Sequence, residues 1–380
     1  MTDCIVLAEG LSFFGISEVF KDRYKHFYIN DYAANDGYLK YKKELCRVDK
    51  LIIVDYQEPW YYKSFIEKII NYRNSNNKIT KIIFDRSFED GISEETIIKK
   101  KEYYNSLKIA DNNFLFFVNK SSSKYPQYKD INFYFIDCFA VSSYNTCLIN
   151  GHPTSKISVG DRPNRLNILI GSIKKMPRPW VIQSLYNAGL LKQSLLSLLS
   201  NEEEISEIFK ENQDLIDLLK NNIGPIDGVN CFSNNNGGST SNGWSGNCFV
   251  YDNSSISFVV ETWVNSSVFL TEKIYRSIIN KHPFVVLGSS GTLKFLKDNG
   301  FQTFSEIIDE SYDSVEIEEN WLNKKINKTS ESAGDFLKKI PENSAKIQEI
   351  VDHNYKTLCS YAEQEHQAAI TFIEDFLNTV

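Results

Sequence analysis

The stretch Ser257-Phe-Val-Val-Glu261-Thr-Trp-Val-Asn265-Ser-Ser-Val-Phe269-Leu-Thr271-Glu272-Lys273-Ile-Tyr-Arg276-Ser-Ile-Ile-Asn280-Lys-His282-Pro283-Phe-Val-Val-Leu-Gly288 decides how the second half of the chain is read. Two short runs rich in β-branched and aromatic residues, Ile256–Val260 and Phe284–Leu287, flank a helical stretch, Glu272–Asn280. The unit is a strand ending at a carboxylate, a loop, a helix and a strand ending at a glycine. Thr271 is a residue type that caps a helix by accepting from N–H groups of its first turn. The open N–H groups and positive dipole end of that turn favour an anion, and Lys273 adds a full charge beside them. Glu272 can accept hydrogen bonds from the two hydroxyls of a ribose. A nucleotide sugar matches both features, whereas a Glu-Lys pair on an exposed helix start is the plain alternative.

Upstream, the strand Leu166–Ile170 runs into Gly171-Ser-Ile-Lys174-Lys175-Met-Pro177-Arg178-Pro179-Trp180. A strand, a glycine and a basic loop entering a helix put positive charge at the carboxyl end of a parallel sheet, where open α/β folds bind ligands. Arg178 can grip a diphosphate with a planar fork, and Lys174 and Lys175 can add point charges. Helices are expected at Pro179–Ala188, Glu202–Leu219 and Thr292–Asn299. The first ~150 residues repeat the alternation, with strands at Cys4–Ala8, His26–Asn30, Lys50–Asp55, Lys81–Asp85, Phe114–Val118 and Phe133–Asp137, and helices at Tyr61–Tyr72 and Glu94–Leu107. Between Phe139 and Asn164 the pattern fades into Ser, Asn, Gly and Pro, as in a linker. Residues 233–247, almost all Gly, Asn and Ser, cannot supply a core and read as a loop. After Pro341 a stripe of Ile347, Ile350, Leu358, Tyr361, Ala368, Phe372 and Phe376 predicts C-terminal helices bracing the rest. The expectation is an α/β protein with domains at 1–160 and 161–335 and helices over 336–380.

The 380 residues carry 42 Lys+Arg against 49 Asp+Glu, a formal net charge of −7, with 42% hydrophobic residues. That composition excludes a disordered or fibrous chain. No apolar run reaches the ~18–20 residues of a membrane span and no signal peptide is evident, so a cytoplasmic protein is expected. Seven scattered cysteines without a C-x-x-C pair are expected to be reduced thiols. The negative charge opposes broad nucleic-acid binding, which needs a basic face.

The run Phe269-Leu-Thr-Glu-Lys-Ile-Tyr-Arg276, followed by Pro283-Phe-Val-Val-Leu-Gly288, resembles the donor-binding motif of the α1,3-fucosyltransferases, in which Phe-Glu-Asn-Ser precedes Tyr-x-Thr-Glu-Lys and a Pro-Val-Val-Leu-Gly strand. The resemblance covers about 30 residues. It implies two facing Rossmann-like domains of the GT-B type, with a nucleotide sugar, GDP-fucose in typical members, held mainly by the C-terminal domain. Carried across, Glu261 stands for the first Glu and lines the sugar pocket, Phe269 stands for the Tyr, Glu272 holds ribose, and Lys273 holds phosphate. Departures are Thr262 in place of Asn, a gap about one residue longer, and the missing phenolic hydroxyl at Phe269. The continuation Gly291–Phe304 and Asp309–Asp313 resembles uncharacterised glycosyltransferase-like proteins of viruses and phages, which implies a viral origin and a host-cytoplasmic location.

Sugar transfer with inversion needs a base for the acceptor hydroxyl. Glu9, Asp55, Glu58, Asp85 and Asp137 each follow an expected strand of the first domain, and Glu9 leads by position. No Asp-x-Asp motif, zinc helix, phosphate loop or dinucleotide fingerprint is found, so metal-independent transfer without a cofactor is expected. The expected partners are a nucleotide-sugar donor and a glycan or small hydroxyl acceptor. Two other readings stay open: a non-catalytic nucleotide-sugar or glycan-binding protein of the same fold, and a viral DNA-base glycosyltransferase.

Overall fold

Strand runs such as Leu51-Ile-Ile-Val54 and Phe114-Leu-Phe-Phe-Val118 are apolar on both faces, so a sheet built from them must be covered on both sides. The computed structural model describes residues 4–8, 25–28, 45, 47–55, 63–87, 94–120, 132–145, 154–163, 165–198, 200–221, 248–265, 267–315 and 319–378. The chain divides into two units, one of residues 1–142 with 363–380 and one of residues 143–362.

The first unit holds six strands: β1 (Cys4–Ala8), β2 (Lys25–Tyr28), β3 (Lys50–Asp55), β4 (Ile79–Arg86), β5 (Phe114–Asn119) and β6 (Asn132–Ile136). They form one parallel sheet in the order β2-β1-β3-β4-β5-β6. Helices α1 (Lys63–Ser75) and α2 (Glu94–Ser106) connect β3 to β4 and β4 to β5. Leu51, Ile53, Ile66, Ile70, Phe84 and Phe116 pack into one cluster, each no more than 1% exposed. Arg73 anchors the turn after α1: its guanidinium donates to the carbonyls of Leu45, Val48, Asp49 and Ile79 and to Thr80 Oγ1. Five carbonyl or hydroxyl acceptors satisfy a buried cation that would otherwise be costly.

In the second unit β7 (Leu166–Ile170), β8 (Leu195–Leu198), β9 (Ile256–Val260) and β10 (Phe284–Leu287) form a parallel sheet in the order β10-β9-β7-β8. The helices in chain order are α3 (Cys138–Tyr144), at the junction of the two units, then α4 (Arg178–Asn187), α5 (Glu202–Ile208), α6 (Gln213–Lys220), α7 (Phe249–Asp252), α8 (Glu272–Ile279), α9 (Thr292–Asp298) and α10 (Trp321–Asn378). Beneath the sheet, His282 is fully buried; its Nε2 donates to the Ser254 carbonyl at 2.8 Å and its Nδ1 accepts from the Ser257 hydroxyl at 2.9 Å. Burial first, and the charge of Arg162 second, push its pKa from 6.5 down to about 3. Both ring nitrogens are thereby occupied in the neutral form, and the ring is core rather than ligand.

Several expectations are corrected. The expected helix Glu202–Leu219 is two helices, because Asn201 and Asn212 each cap a new start, accepting from Glu204 N at 2.8 Å and Leu215 N at 3.1 Å. Strand β8 was missed, since Leu195-Leu-Ser-Leu198 lacks the β-branched residues that mark strands. The stretch 139–164 is not a loose linker throughout: it begins within α3, and Arg162 donates to the carbonyls of Lys281, Asn280 and Ile157. Pro341 does not open the last helix but sits inside it, twenty residues after Trp321. The ring removes one helical donor and crowds the preceding turn, which a helix of this length with a buried face on either side of the proline tolerates. On that helix Ala368 is exposed and Phe372 half-buried, while Ala362, Ala369, Ile370 and Ile373 carry the buried face. The expected loop at 233–247 lies outside the described residues. Among the described residues no helix is long and apolar enough to cross a membrane.

Candidate active site

Parallel order places the carboxyl ends of β7, β8, β9 and β10 on one edge. β7 connects onward to β8 on one side and is hydrogen-bonded to β9 on the other, so the order reverses between β7 and β9. Crevices at such reversals are where open α/β sheets bind ligands. The loop after β7 supplies Arg178, and the loop after β9 supplies Glu261, Thr271, Glu272 and Lys273.

Lys273 is the hub. Its ammonium donates to Thr271 Oγ1 at 2.7 Å and to Thr262 Oγ1 at 3.3 Å, and it pairs with Glu272 Oε1 at 3.2 Å and, more loosely, with Glu261 Oε2 at 3.8 Å. Thr271 is the expected cap of α8, although its hydroxyl lies 3.5 Å from the Lys273 amide, a long contact for a cap. It makes a stronger link elsewhere: Thr271 Oγ1 donates to Glu261 Oε2 at 2.5 Å, and Thr271 N donates to Glu261 Oε1 at 3.1 Å. A hydroxyl has one proton to give and two lone pairs to receive. Thr271 therefore passes its proton toward Glu261 and offers its oxygen to Lys273.

Glu261 is 1% exposed, and burial pushes its pKa up, opposed by Lys273 and the Thr271 hydroxyl. Both of its oxygens are spent on Thr271. Buried at the strand end, the carboxylate braces the Thr271 loop. Glu272 is half-buried; desolvation alone would raise its pKa, but Lys273 and then Arg276 more than offset it and hold the carboxyl below its usual range. Arg178 donates to the Ser172 carbonyl at 2.9 Å, and a Cβ on Gly171 would stand 3.4 Å from its Nη1, so the guanidinium lies against bare backbone. Burial lowers its pKa, and the charge of Glu272 opposes that. Across the edge, Gly288 admits no side chain, since a Cβ would fall 2.6 Å from Thr292 Oγ1.

Not every expected residue joins this cluster. Lys174 is exposed and pairs with Glu204 at 3.2 Å, on the β8 side of the reversal. Phe269 is only 4% exposed and belongs to the core. The cavity that Lys273 lines with Asn167, Ser257, Arg276 and Ser277 runs beneath α8 and holds about 20 Å³, room for one water and not for a nucleoside. Trp263, two residues beyond Glu261 and 46% exposed, carries no expected role, and its carbonyl accepts from Ser289 Oγ at 3.3 Å.

In the first unit, Asp55 at the end of β3 is 1% exposed and accepts from Lys100 Nζ at 2.9 Å and Tyr104 Oη at 3.0 Å. Asp85 accepts from the amide and hydroxyl of Ser87 at 2.9 and 2.7 Å. Asp137 accepts from the Ala140 amide at 3.0 Å, at the start of α3. All three serve turns, ion pairs or helix starts. Glu9 and Glu58 lie outside the described residues. Among the described residues no group of three His, Cys, Asp or Glu is placed to hold a metal ion.

No protein-family profile matches the chain. No curated protein matches it by sequence. Among solved structures it is similar to an α-glucosyltransferase in complex with UDP-glucose and DNA containing an abasic site, with TM-score 0.52 and 14% identity over 97% of this chain and 98% of that one. A glycosyltransferase from Rickettsia africae ESF-5 aligns at TM-score 0.45 and 14% identity over the whole of both chains. The likeness to the glucosyltransferase shows the fold alone: Rossmann-like α/β units, each built on a parallel sheet. The fucosyltransferase likeness rests on the motif residues alone.

Proposed function

We propose that this chain is a glycosyltransferase that moves a sugar from a nucleoside-diphosphate donor to a hydroxyl acceptor. The observation that carries the reading is the charged edge of the second sheet, where Lys273 pairs with Glu272 at 3.2 Å after β9 and Arg178 opens the helix that follows β7. As the glycosidic bond to the donor breaks, negative charge builds on the leaving diphosphate, and fixed cations in a partly dry site stabilise it. Lys273 and Arg178 supply those cations. Glu272 accepts from the ribose hydroxyls, while Glu261 and Thr271 hold the lysine. Phe269 supports this loop from the core, and Lys174 contributes only long-range charge.

For the acceptor, Glu9 is the proposed base. It follows Ala8, the last residue of β1, and the first sheet reverses order between β1 and β3. Asp55, on the other side of that reversal, is committed to Lys100 and Tyr104. The first unit is then the acceptor side and the second the donor side. GDP follows from the motif and UDP from the fold neighbour. A thermal-shift series with GDP, UDP and CMP, then transfer assays with the matching sugars, tests the reading; no shift and no transfer or donor hydrolysis with any of them would refute it.

A second acceptor reading has one observation in its favour. The glucosyltransferase whose fold is shared over 97% of this chain was solved with DNA. Transfer onto DNA by this protein would show as labelled sugar in duplex whose modified bases carry a hydroxyl, with binding that weakens steeply as salt rises. The net charge of −7 counts against it.

A further inference from the structure

A second hollow opens beside α4 and α5, and none of Glu261, Glu272 and Lys273 lines it. It encloses about 650 Å³ and is lined by Lys174, Met176, Pro179, Trp180, Gln183 and Glu207, among others. This is within the usual range for small-ligand sites. Two of its members, Trp180 at 44% and Met176 at 49%, are among the most exposed large apolar side chains of the described chain. An indole kept in water beside a thioether is costly unless something covers it.

The polar members decide what that is. Lys174 pairs with Glu204 at 3.2 Å, and the other charged residue of the lining, Glu207, is a carboxylate. The hollow therefore carries no surplus positive charge, which disfavours phosphate, nucleotides and a nucleic-acid backbone. Gln183 Nε2 donates to Asn187 Oδ1 at 2.9 Å, which fixes the amide and leaves its carbonyl able to accept. The hollow thus offers a flat apolar face, a fixed amide, a carboxylate and a paired ammonium. The ligand with matching chemistry is neutral, with an apolar C–H face and a rim of hydroxyls that both donate and accept.

We infer that this hollow is an accessory carbohydrate site, separate from the donor site, in which a pyranose ring lies on Trp180 while its hydroxyls meet Gln183 and Glu207. Such a site would hold a glycan chain near the enzyme independently of the nucleotide. The inference goes beyond the proposed transfer reaction and does not depend on it.

The test uses the full chain on a glycan array of neutral oligosaccharides, followed by calorimetric titration of the strongest hit. Wild type is expected to bind. Trp180→Ala is expected to weaken binding at least about 10-fold, as for loss of a central aromatic anchor, and Glu207→Gln by about 3-fold, on the scale of one hydrogen bond. Both sites lie at the surface, and an unchanged melting temperature confirms folding. GDP and UDP titrations of the same variants should match wild type. Sugar binding without nucleotide binding would uphold this site and refute the transfer reading; nucleotide binding without sugar binding would do the reverse. The inference is overturned if no glycan binds, if Trp180→Ala binds as wild type does, or if Trp180 instead captures free nucleosides.

Discussion

Glu261 spends both carboxylate oxygens on one residue, Thr271, taking its amide at 3.1 Å and its hydroxyl at 2.5 Å. The first turn of α8 is thereby tied to the end of β9, and Lys273 is held through the same hydroxyl at 2.7 Å. Positioning of the cation thus depends on a buried carboxylate that need not touch a ligand.

Glu261→Gln keeps the shape but replaces one acceptor with an amide that cannot receive the Thr271 proton. A cost of about 1–3 kcal/mol is expected, the usual penalty for an unmade buried hydrogen bond. Nucleotide affinity should fall with it. Thr271→Ser should preserve both properties and Thr271→Ala neither. Urea unfolding and nucleotide titration on the three variants check this; equal behaviour of the Ser and Ala variants would contradict the link.

Asp55 and Lys100 form a buried pair at 2.9 Å, with side chains 1% and 3% exposed. Asp55→Asn strands the ammonium, and a loss of about 3–5 kcal/mol is expected, as when one partner of a buried pair is removed. If Asp55 were instead the acceptor base, the variant would stay stable and lose only turnover. Denaturation separates the two outcomes.

The neutral state of His282 makes stability acid-sensitive. Its folded pKa of about 3 lies below the ordinary 6.5, so the unfolded chain binds the extra proton. The stabilisation is complete above pH 6.5 and is lost progressively as pH falls toward 3. His282→Gln should be less stable at pH 7 but show a shallower decline between pH 6.5 and 4. Chemical denaturation across that range measures the slopes, and parallel slopes would rule the histidine out as the source.

Lys325 gives the opposite edge. Burial lowers its pKa to about 8, with Asp313 opposing, and its Nζ has no hydrogen-bond partner among the described residues. A depressed lysine pKa means the unfolded chain holds more protons between pH 8 and 10.5, so this residue makes stability rise with pH over that window. The difference between wild type and Lys325→Met should therefore change steadily from pH 8 to 10.5 and level off outside it. A constant difference would place the ammonium in water.

The sequence makes β9, α8 and β10 legible because apolar runs, the Thr271 cap and the closing Gly288 all agree. The same holds for β3 and β5, whose two-sided burial leaves unbroken apolar runs. Agreement fails where local chemistry has two solutions. Leu195-Leu-Ser-Leu198 suits a helix as well as a strand, and only pairing with β7 decides it. Asn212 is a cap that a run of Glu, Ile and Leu conceals. In the site, charge type is legible and commitment is not: Glu204 claims Lys174 from thirty residues away. Glu261 reads as a pocket carboxylate until its burial is known. The Trp180 hollow leaves no local signal, because its walls come from α4 with the loop before it and from the end of α5, segments that β8 separates in the chain.

Titration of UDP and GDP into wild type, Lys273→Ala and Arg178→Ala by calorimetry tests the central claim most directly. The account predicts measurable binding of at least one nucleotide to wild type and a loss of about 10-fold or more in each variant, on the scale of a charge-assisted contact to phosphate, with the fold intact by circular dichroism. Nucleotide affinity that is unchanged in both variants would contradict it.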